Sequence, residues 1–447
     1  MNVTRLNKKF KADPERVILR PLGVSNQRTK NVISKILLLN QKEAKAQLDE
    51  VINSFESRHK DFEKKLLRNY KNVEKFAIDK KLTKTQKYLI GSYFSMEYSI
   101  EAAALFNPSI VAHPNQCRLR SDELRFVMSL RATGEGHISS IRFKEGIINS
   151  KSKLSFNKET RYCSLPEIEK NVFTKPEQTK RYKFYSKLES EGKNRNSNPI
   201  TYEDYSKSNY AVKFAKDIPL DERVLFPHSP SESKGMEDVR FVRFINDDGS
   251  AVYYGTYSAY SGKIVRTQLI KTIDFQHFSI CTLFGSGIND KGMALFPRKI
   301  NGQYYITSRQ DGENLYLMNS SDINHWSHTR KIMVPENSWS FVQLGNCGSP
   351  LETDEGWLLI IHGVGPIRKY VISAILLDKK NPSKVIGKLK QPLISPNESE
   401  REGYVPNVVY SCGSVLHNNK VIIPYAMSDS YCGFAEKNVK ELLNEMQ

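Results

Sequence analysis

Two stretches, TIDFQHF at residues 272–278 and SSDINHW at residues 320–326, decide the reading of the fold. Both run hydroxyl, any residue, aspartate, apolar, amide, histidine, aromatic, and Asp322 follows Asp274 by 48 positions. Each trails a tyrosine pair, Tyr253-Tyr254 in one case and Tyr304-Tyr305 in the other. A unit repeated at about 50 residues is the mark of a propeller blade, a small antiparallel sheet that buries both faces only by packing on its neighbours.

Working outward, short β-type runs bounded by turn residues appear on both sides: RFVMSL from Arg125, AVYYGTY from Ala251, QYYITS from Gln303, GWLLIIHG from Gly356 and KVIIPYA from Lys420. From Tyr253 onward the strand starts recur at about 50 to 60 residues. With the Arg125 run they predict five units, hence a mainly β chain whose residues 105–447 form a five-bladed β-propeller. A β-sandwich also accounts for short strands taken alone; the repeated aspartate turn argues against it. The stretch 151–217 is polar and Lys/Asn/Ser-rich, an insertion between strands.

Residues 1–104 read as an N-terminal helical extension. Asn40 with Glu43 has capping-box spacing, and Ala44, Leu48, Val51, Ile52 and Phe55 follow at helical intervals. Thr83 with Gln86 opens another helix, through Leu89, Tyr93 and Phe94 toward Ile100. Such apolar stripes need a cover, supplied within the molecule or by a second subunit of a homo-oligomer.

The 447 residues carry 67 Lys+Arg against 49 Asp+Glu, a net charge of +18, and 39% are hydrophobic, which excludes a wholly disordered chain. No apolar run approaches the roughly 18 residues that cross a bilayer, and the N-terminus lacks a signal-peptide core, so a soluble, cytoplasmic protein without a membrane partner is expected. Six cysteines occur singly, with no CxxC pair to suggest a metal or a disulfide framework. The basic charge suits anionic substrates or nucleic acid. Its lysine runs, such as 175–193, are interleaved with glutamates, as on a solvated face, and no RNA-recognition, KH or zinc-finger pattern accompanies them. Nucleic acid is therefore not an expected partner.

The sharpest chemical segment is Gly235-Met236-Glu237-Asp238-Val239-Arg240-Phe241. Two acids and a base on a β-run form either a structural ion pair or a tuned acid. If substrate entry desolvates Asp238, its carboxyl holds a proton more tightly and can deliver it to a leaving oxygen.

The order of segments from about Leu105 to Ala435 resembles glycoside hydrolase family 130, the β-mannoside phosphorylases and related mannosidases, in its long form with extra N-terminal residues. The matching stretches are Asn107-Pro108-Ser109, GMEDVR, YYGTYSAYSG (253–262), KGMALFPRKINGQYY (291–305), GNCGSPLETDEGWLLIIHG (345–363), EGYVPNVVYSCG (402–413) and YAMSDSYCGFA (425–435). The resemblance implies a five-bladed propeller that cleaves short β-manno-oligosaccharides with inversion. It implies Asp238 as proton donor, acting through a sugar hydroxyl, and Asn107, Arg131, Glu237, Arg240, Tyr257 and Asp429 as the residues around the mannosyl unit. Sugars present fixed hydroxyls that Asp, Asn and Arg grip, while tyrosine faces pack on the ring.

The attacking group is phosphate or water. A phosphorylase needs basic groups for dianionic phosphate, and Lys291, Arg309 and His362 occupy positions that resemble family phosphate contacts. His362 equally suits a packed histidine in the LLIIHG strand. Ser308-Arg309-Gln310 stands where many family phosphorylases have histidine-arginine-proline, so one basic group is missing. A hydrolase instead needs a carboxylate base, for which Glu135 and Glu313 are available but equally suit solvated loops. Phosphorolysis to mannose 1-phosphate is slightly favoured over hydrolysis at β-1,2 or β-1,4 linkages, and a non-catalytic carbohydrate-binding propeller is the reading from another class. No cofactor or metal is expected; inorganic phosphate enters as co-substrate of a phosphorylase.

Overall fold

The computed structural model describes residues 3–77, 81–158, 160–170, 172–191, 199–289 and 291–446. Every expected β-run lies in a strand: Leu124–Thr133, Ala251–Tyr260, Tyr304–Ser308, Trp357–Val364 and Lys420–Met427. Each is the second strand of its antiparallel set, preceded by Ala104–Ala112, Gly235–Ile245, Ala294–Leu295, Gln343–Asn346 or Val409–Tyr410. A single parallel pair, Gly235 with Ser139, joins the first two sets into one eleven-stranded sheet. The others are sheets of four, five and five strands.

Alternation along each strand explains the packing. All eight residues of Trp357–Val364 are buried. Leu358 and Ile360 join Val421, Ile423 and Tyr425 of the following sheet, whereas Leu359 and Ile361 join Leu315 and Leu317 of the preceding one. Successive side chains point to opposite faces, so one strand feeds two cores. The same holds around the molecule: Phe143 packs with Phe241 and Phe278, Phe244 with Met318 and Trp326, and Phe126 and Met128 with Cys432 and Phe434 of the last set. Each buried side chain of this size contributes about 1.5–3 kcal/mol.

The paired aspartate motifs occupy equivalent hairpins. Asp274 lies between Val265–Thr272 and His277–Thr282, where its carboxylate accepts from the Gln276 and His277 amides at 2.8 and 2.9 Å. Asp322 lies between Leu315–Ser320 and His328–Met333 and accepts from the Asn324 amide at 2.9 Å. Phe275 and Trp326 are fully buried beneath these turns.

Both expected capping boxes form, with Asn40 and Glu43 exchanging bonds of 2.9 Å and Thr83 and Gln86 bonds of 3.2 and 3.1 Å. Helices span Asn26–Leu37, Gln41–Phe55, Phe62–Val73 and Lys84–Tyr93. They bury Ile33, Leu48, Leu66, Leu89 and Ile90 against one another. At Gly91 a Cβ would lie 2.1 Å from the Leu66 carbonyl oxygen, so glycine permits that close crossing.

Two parts of the first 104 residues differ from the helical expectation. The last helix stops at Tyr93, and Ser95–Ser99 pairs as a strand with Val17–Pro21. Thr4–Lys11 is a strand on the edge of the last sheet, Thr4 opposite Glu436 and Lys11 opposite Tyr431. It covers apolar surface with Phe10, which meets Phe156 and Phe434 edge-on. The polar insertion contains helices at Lys175–Glu191 and Tyr202–Ser208 and adds Tyr210–Lys213 to the second set. Tyr185 anchors it by stacking on Phe284 and donating to Asp322 at 2.7 Å. Among the described residues no helix is long and apolar enough to cross a membrane.

Candidate active site

The site is built on irregularities in the first strands of two sets. Pairing between Ala104–Ala112 and Leu124–Thr133 slips between Phe106 and Ser109, and Asn107 takes φ +49° there. Pairing between Gly235–Ile245 and Ala251–Tyr260 slips between Glu237 and Arg240, where Asp238 takes φ +54°. Asn and Asp tolerate this left-handed conformation better than other side-chain-bearing residues, and a bulge re-aims the side chain it carries. The two bulges face each other: Asn107 Nδ2 donates to Asp238 Oδ1 at 2.7 Å.

Arg131, from the neighbouring strand, spans both acids. Its Nη1 reaches Asp238 Oδ1 at 3.2 Å and its Nη2 reaches Glu237 Oε1 at 2.7 Å. Ser139 accepts from its Nε at 2.9 Å, and the guanidinium lies over the Phe106 ring at 4.9 Å. Lys291 closes the other side of Glu237, Nζ to Oε2 at 2.7 Å. Arg240 holds the bulge itself, donating to the Asp238 carbonyl at 2.8 Å, Asn346 Oδ1 at 3.1 Å and the Tyr410 hydroxyl at 2.7 Å.

The Asp238 side chain remains 15% exposed, so solvent reaches the centre of this network. Burial pushes its carboxyl up, but Arg131, Arg240, the Asn107 bond and Lys291 together hold it below the usual carboxylate range. The free chain therefore presents Asp238 ionised, not as the loaded acid that desolvation alone would give. Asp429 behaves oppositely. It sits in the turn after Lys420–Met427, with Ser428 and Asp429 both at positive φ. Burial and then the charge of Asp238 push it up to about 7, against Arg131 and Arg368.

The remaining expected residues divide. Arg309 lies close enough to His362 for its charge to act on the ring. His362 is 2% exposed, stacked on Tyr370 and bonded to the Gln343 amide at 3.1 Å and the Asn346 carbonyl at 3.2 Å. Burial, then Arg309 and Arg240, drive its pKa well below the ordinary value. It is a neutral ring, so the expected set of three basic groups contains two cations. A Cβ at Gly345 would lie 2.4 Å from this imidazole, which fixes glycine opposite it in the sheet. Tyr257, expected against a sugar, is turned away. It is 2% exposed in the core, and its hydroxyl donates to the buried Glu232, which also accepts from Tyr210. Glu135 and Glu313 are exposed.

Sequence reasoning missed Asn346, Tyr410 and Ser139, which orient the two arginines. Asn346 and Tyr410 lie inside the quoted GNCGSP and VVYSCG segments, but nothing in their spacing says they meet Arg240. Among the described residues no group of three His, Cys, Asp or Glu side chains could hold a metal ion.

A mainly β scaffold that presents an ionised aspartate, a second aspartate whose pKa is raised to about 7 and converging arginine, lysine and asparagine groups is suited to gripping the fixed hydroxyls of a sugar. Residues 181–447 match the family model for glycoside hydrolase family 130, described as β-1,4-mannooligosaccharide phosphorylase, and the chain belongs to that family. It is 31% identical over 242 residues to a 1,2-β-oligomannan phosphorylase of Thermoanaerobacter sp. strain X514, covering 53% of this chain and 79% of that protein. A β-1,2-mannobiose phosphorylase of the same organism is 30% identical over 245 residues, covering 52% and 75%. A solved structure from Parabacteroides distasonis, described as a candidate glycoside hydrolase, superposes with a TM-score of 0.52 at 18% identity, covering 78% of this chain and 90% of that one. At that identity the likeness concerns the fold.

Proposed function

We propose that this chain is an inverting β-mannoside phosphorylase built on a five-bladed β-propeller, residues 105–447 forming the catalytic domain and residues 1–104 an extension. The succession of packed sheets, with the last set lying on the first, supports the propeller. Phosphate attacks the anomeric carbon from the face opposite the departing oxygen. The glycosidic bond breaks, and Asp238 supplies the proton to the leaving oxygen through a sugar hydroxyl, giving α-mannose 1-phosphate and a shortened acceptor.

The observation that carries this reading is the Asn107–Asp238–Arg131–Glu237–Lys291 network around a solvent-reachable carboxylate. Asn107 Oδ1 is buried with no hydrogen-bond partner among the described residues, an open acceptor for a sugar hydroxyl beside the acid. The same network explains how Asp238 acquires its proton. Cations hold it ionised in the free chain, and a phosphate dianion near Lys291 and Arg309 cancels that field, favouring the protonated acid when both substrates are bound. Arg240 is the positioning residue for the bulge, and Asp429 faces the same mannosyl subsite. The mechanism uses phosphate as co-substrate and requires no metal.

The test is incubation with β-1,2- and β-1,4-mannobiose with and without phosphate. Mannose 1-phosphate is expected only when phosphate is present. Equal release of free mannose without it identifies a mannosidase, and mannoside binding without turnover identifies a carbohydrate-binding propeller.

A further inference from the structure

The helix Phe62–Val73 has two unlike faces. Phe62, Leu66 and Tyr70 pack into the helical core. Lys64, Lys65, Arg68 and Lys71 recur at three- and four-residue steps and line a cavity of about 490 Å³ between this helix and the segments 164–167 and 213–218. Lys213 adds a further cation from the opposite wall. None of the residues around Asp238 lines this cleft.

The charges are not explained by the fold. Lys60, at the same cleft, is paired with Glu222 at 2.7 Å. By contrast, Lys64, Lys65, Arg68, Lys71 and Lys213 make no side-chain hydrogen bond or ion pair among the described residues. Like charges at helical i,i+3 and i,i+4 positions destabilise a helix, each pair by a few tenths of a kcal/mol. Lys65 is also half-buried, and burial followed by the charge of Arg68 lowers its pKa. A row of cations kept together at a cost, with one drawn partly out of water, is the electrostatic form of an anion-binding surface.

The size and lining specify the ligand further. A cavity of this volume is that of a small-molecule site. Leu67, Leu165, Phe214 and Ile218 give it apolar wall, which inorganic phosphate alone does not use. Asp61, Glu167 and Asp217 also border it and lower its net positive charge, which suits one compact anion better than an extended phosphodiester chain. We propose that this cleft is a second binding site, taking a small organic phosphate whose charged group sits between Lys65 and Arg68 and whose uncharged portion lies on Leu165 and Phe214.

The test is calorimetric titration of the full chain at physiological salt with ADP and glucose 6-phosphate, neither a product of the proposed reaction, alongside inorganic phosphate and a single-stranded RNA. At least one organic phosphate is expected to bind with a Kd below about 1 mM. The Lys65→Gln/Arg68→Gln variant is expected to weaken it at least about tenfold, the loss of two charge-assisted bonds. Turnover of β-mannobiose stays unchanged. Should the double variant not fold, Arg68→Gln at an exposed position is expected to weaken binding at least about fivefold. The proposal is overturned if neither organic phosphate binds, if the variants bind as well as the parent, if inorganic phosphate binds as tightly, or if RNA is the preferred ligand.

Discussion

Replacing Asp429 with asparagine isolates a site carboxyl that titrates near neutrality. Its pKa rises from 3.8 to about 7 through burial and the charge of Asp238. Between these values the folded chain holds a proton that the unfolded chain has released, so this group's contribution to stability is lost as pH rises, by about 1.4 kcal/mol per unit. The asparagine variant has no such titration. Integrated from about pH 5 to about pH 8, the parent is expected to lose roughly 2.5 kcal/mol of stability relative to Asp429→Asn, nearly all of it below about pH 7. Asp238 does not blur the window: its lowered pKa gives stability that is lost only as pH falls through that value, in the acid range. Urea unfolding of both proteins across this range reads the difference directly. A second variant checks the cause, because Asp238→Asn removes the repelling charge and should shift the midpoint of the loss to lower pH. A difference curve that stays flat across the window refutes the assignment of a raised pKa to Asp429.

Three further outcomes follow from the same geometry. Asp238→Asn is expected to lower the rate of mannose 1-phosphate release by about 10²–10⁴-fold while leaving the chain folded by circular dichroism, the range for loss of a general acid. Arg240→Lys keeps the charge but cannot span the Asp238 carbonyl, Asn346 and Tyr410 together. It should cost roughly 2–3 kcal/mol in urea unfolding and lower kcat more than it raises KM. Tyr257→Phe should destabilise by about 1–3 kcal/mol by removing one of the hydrogen bonds that the buried Glu232 accepts, with KM for mannobiose unchanged; a large rise in KM would place that ring against sugar after all.

The legible part of this molecule was its second strands. GWLLIIHG and KVIIPYA are continuous apolar runs because each serves two cores, and the aspartate turns repeat because equivalent hairpins need the same cap. The first strands are short or carry shifted registers at Asn107 and Asp238, so periodicity fades where the chemistry sits. The acidic motif could be found from its residues, but the ionisation of Asp238 could not, since Arg131, Asn107 and Lys291 arrive from distant positions. Tyr257 and His362 illustrate the opposite limit: an aromatic or imidazole side chain on a buried strand reads alike whether it faces a cleft or a core. Thr4–Lys11 escaped notice because an edge strand with one covered face needs only Leu6 and Phe10, and its lysines hide the alternation.

That edge strand also sets an order of events during synthesis. Its partner, Tyr431–Asn438, leaves the ribosome more than four hundred residues later, a delay of roughly 20 to 90 s at ordinary elongation rates. For that interval Thr4–Lys11 is an unpaired β-segment beside other nascent chains, and Lys8, Lys9 and Lys11 give it the charge that discourages edge-to-edge association. The last sheet is thus completed by a segment made more than four hundred residues before its partner, and a fusion that sequesters Thr4–Lys11 should delay or prevent the final step of maturation.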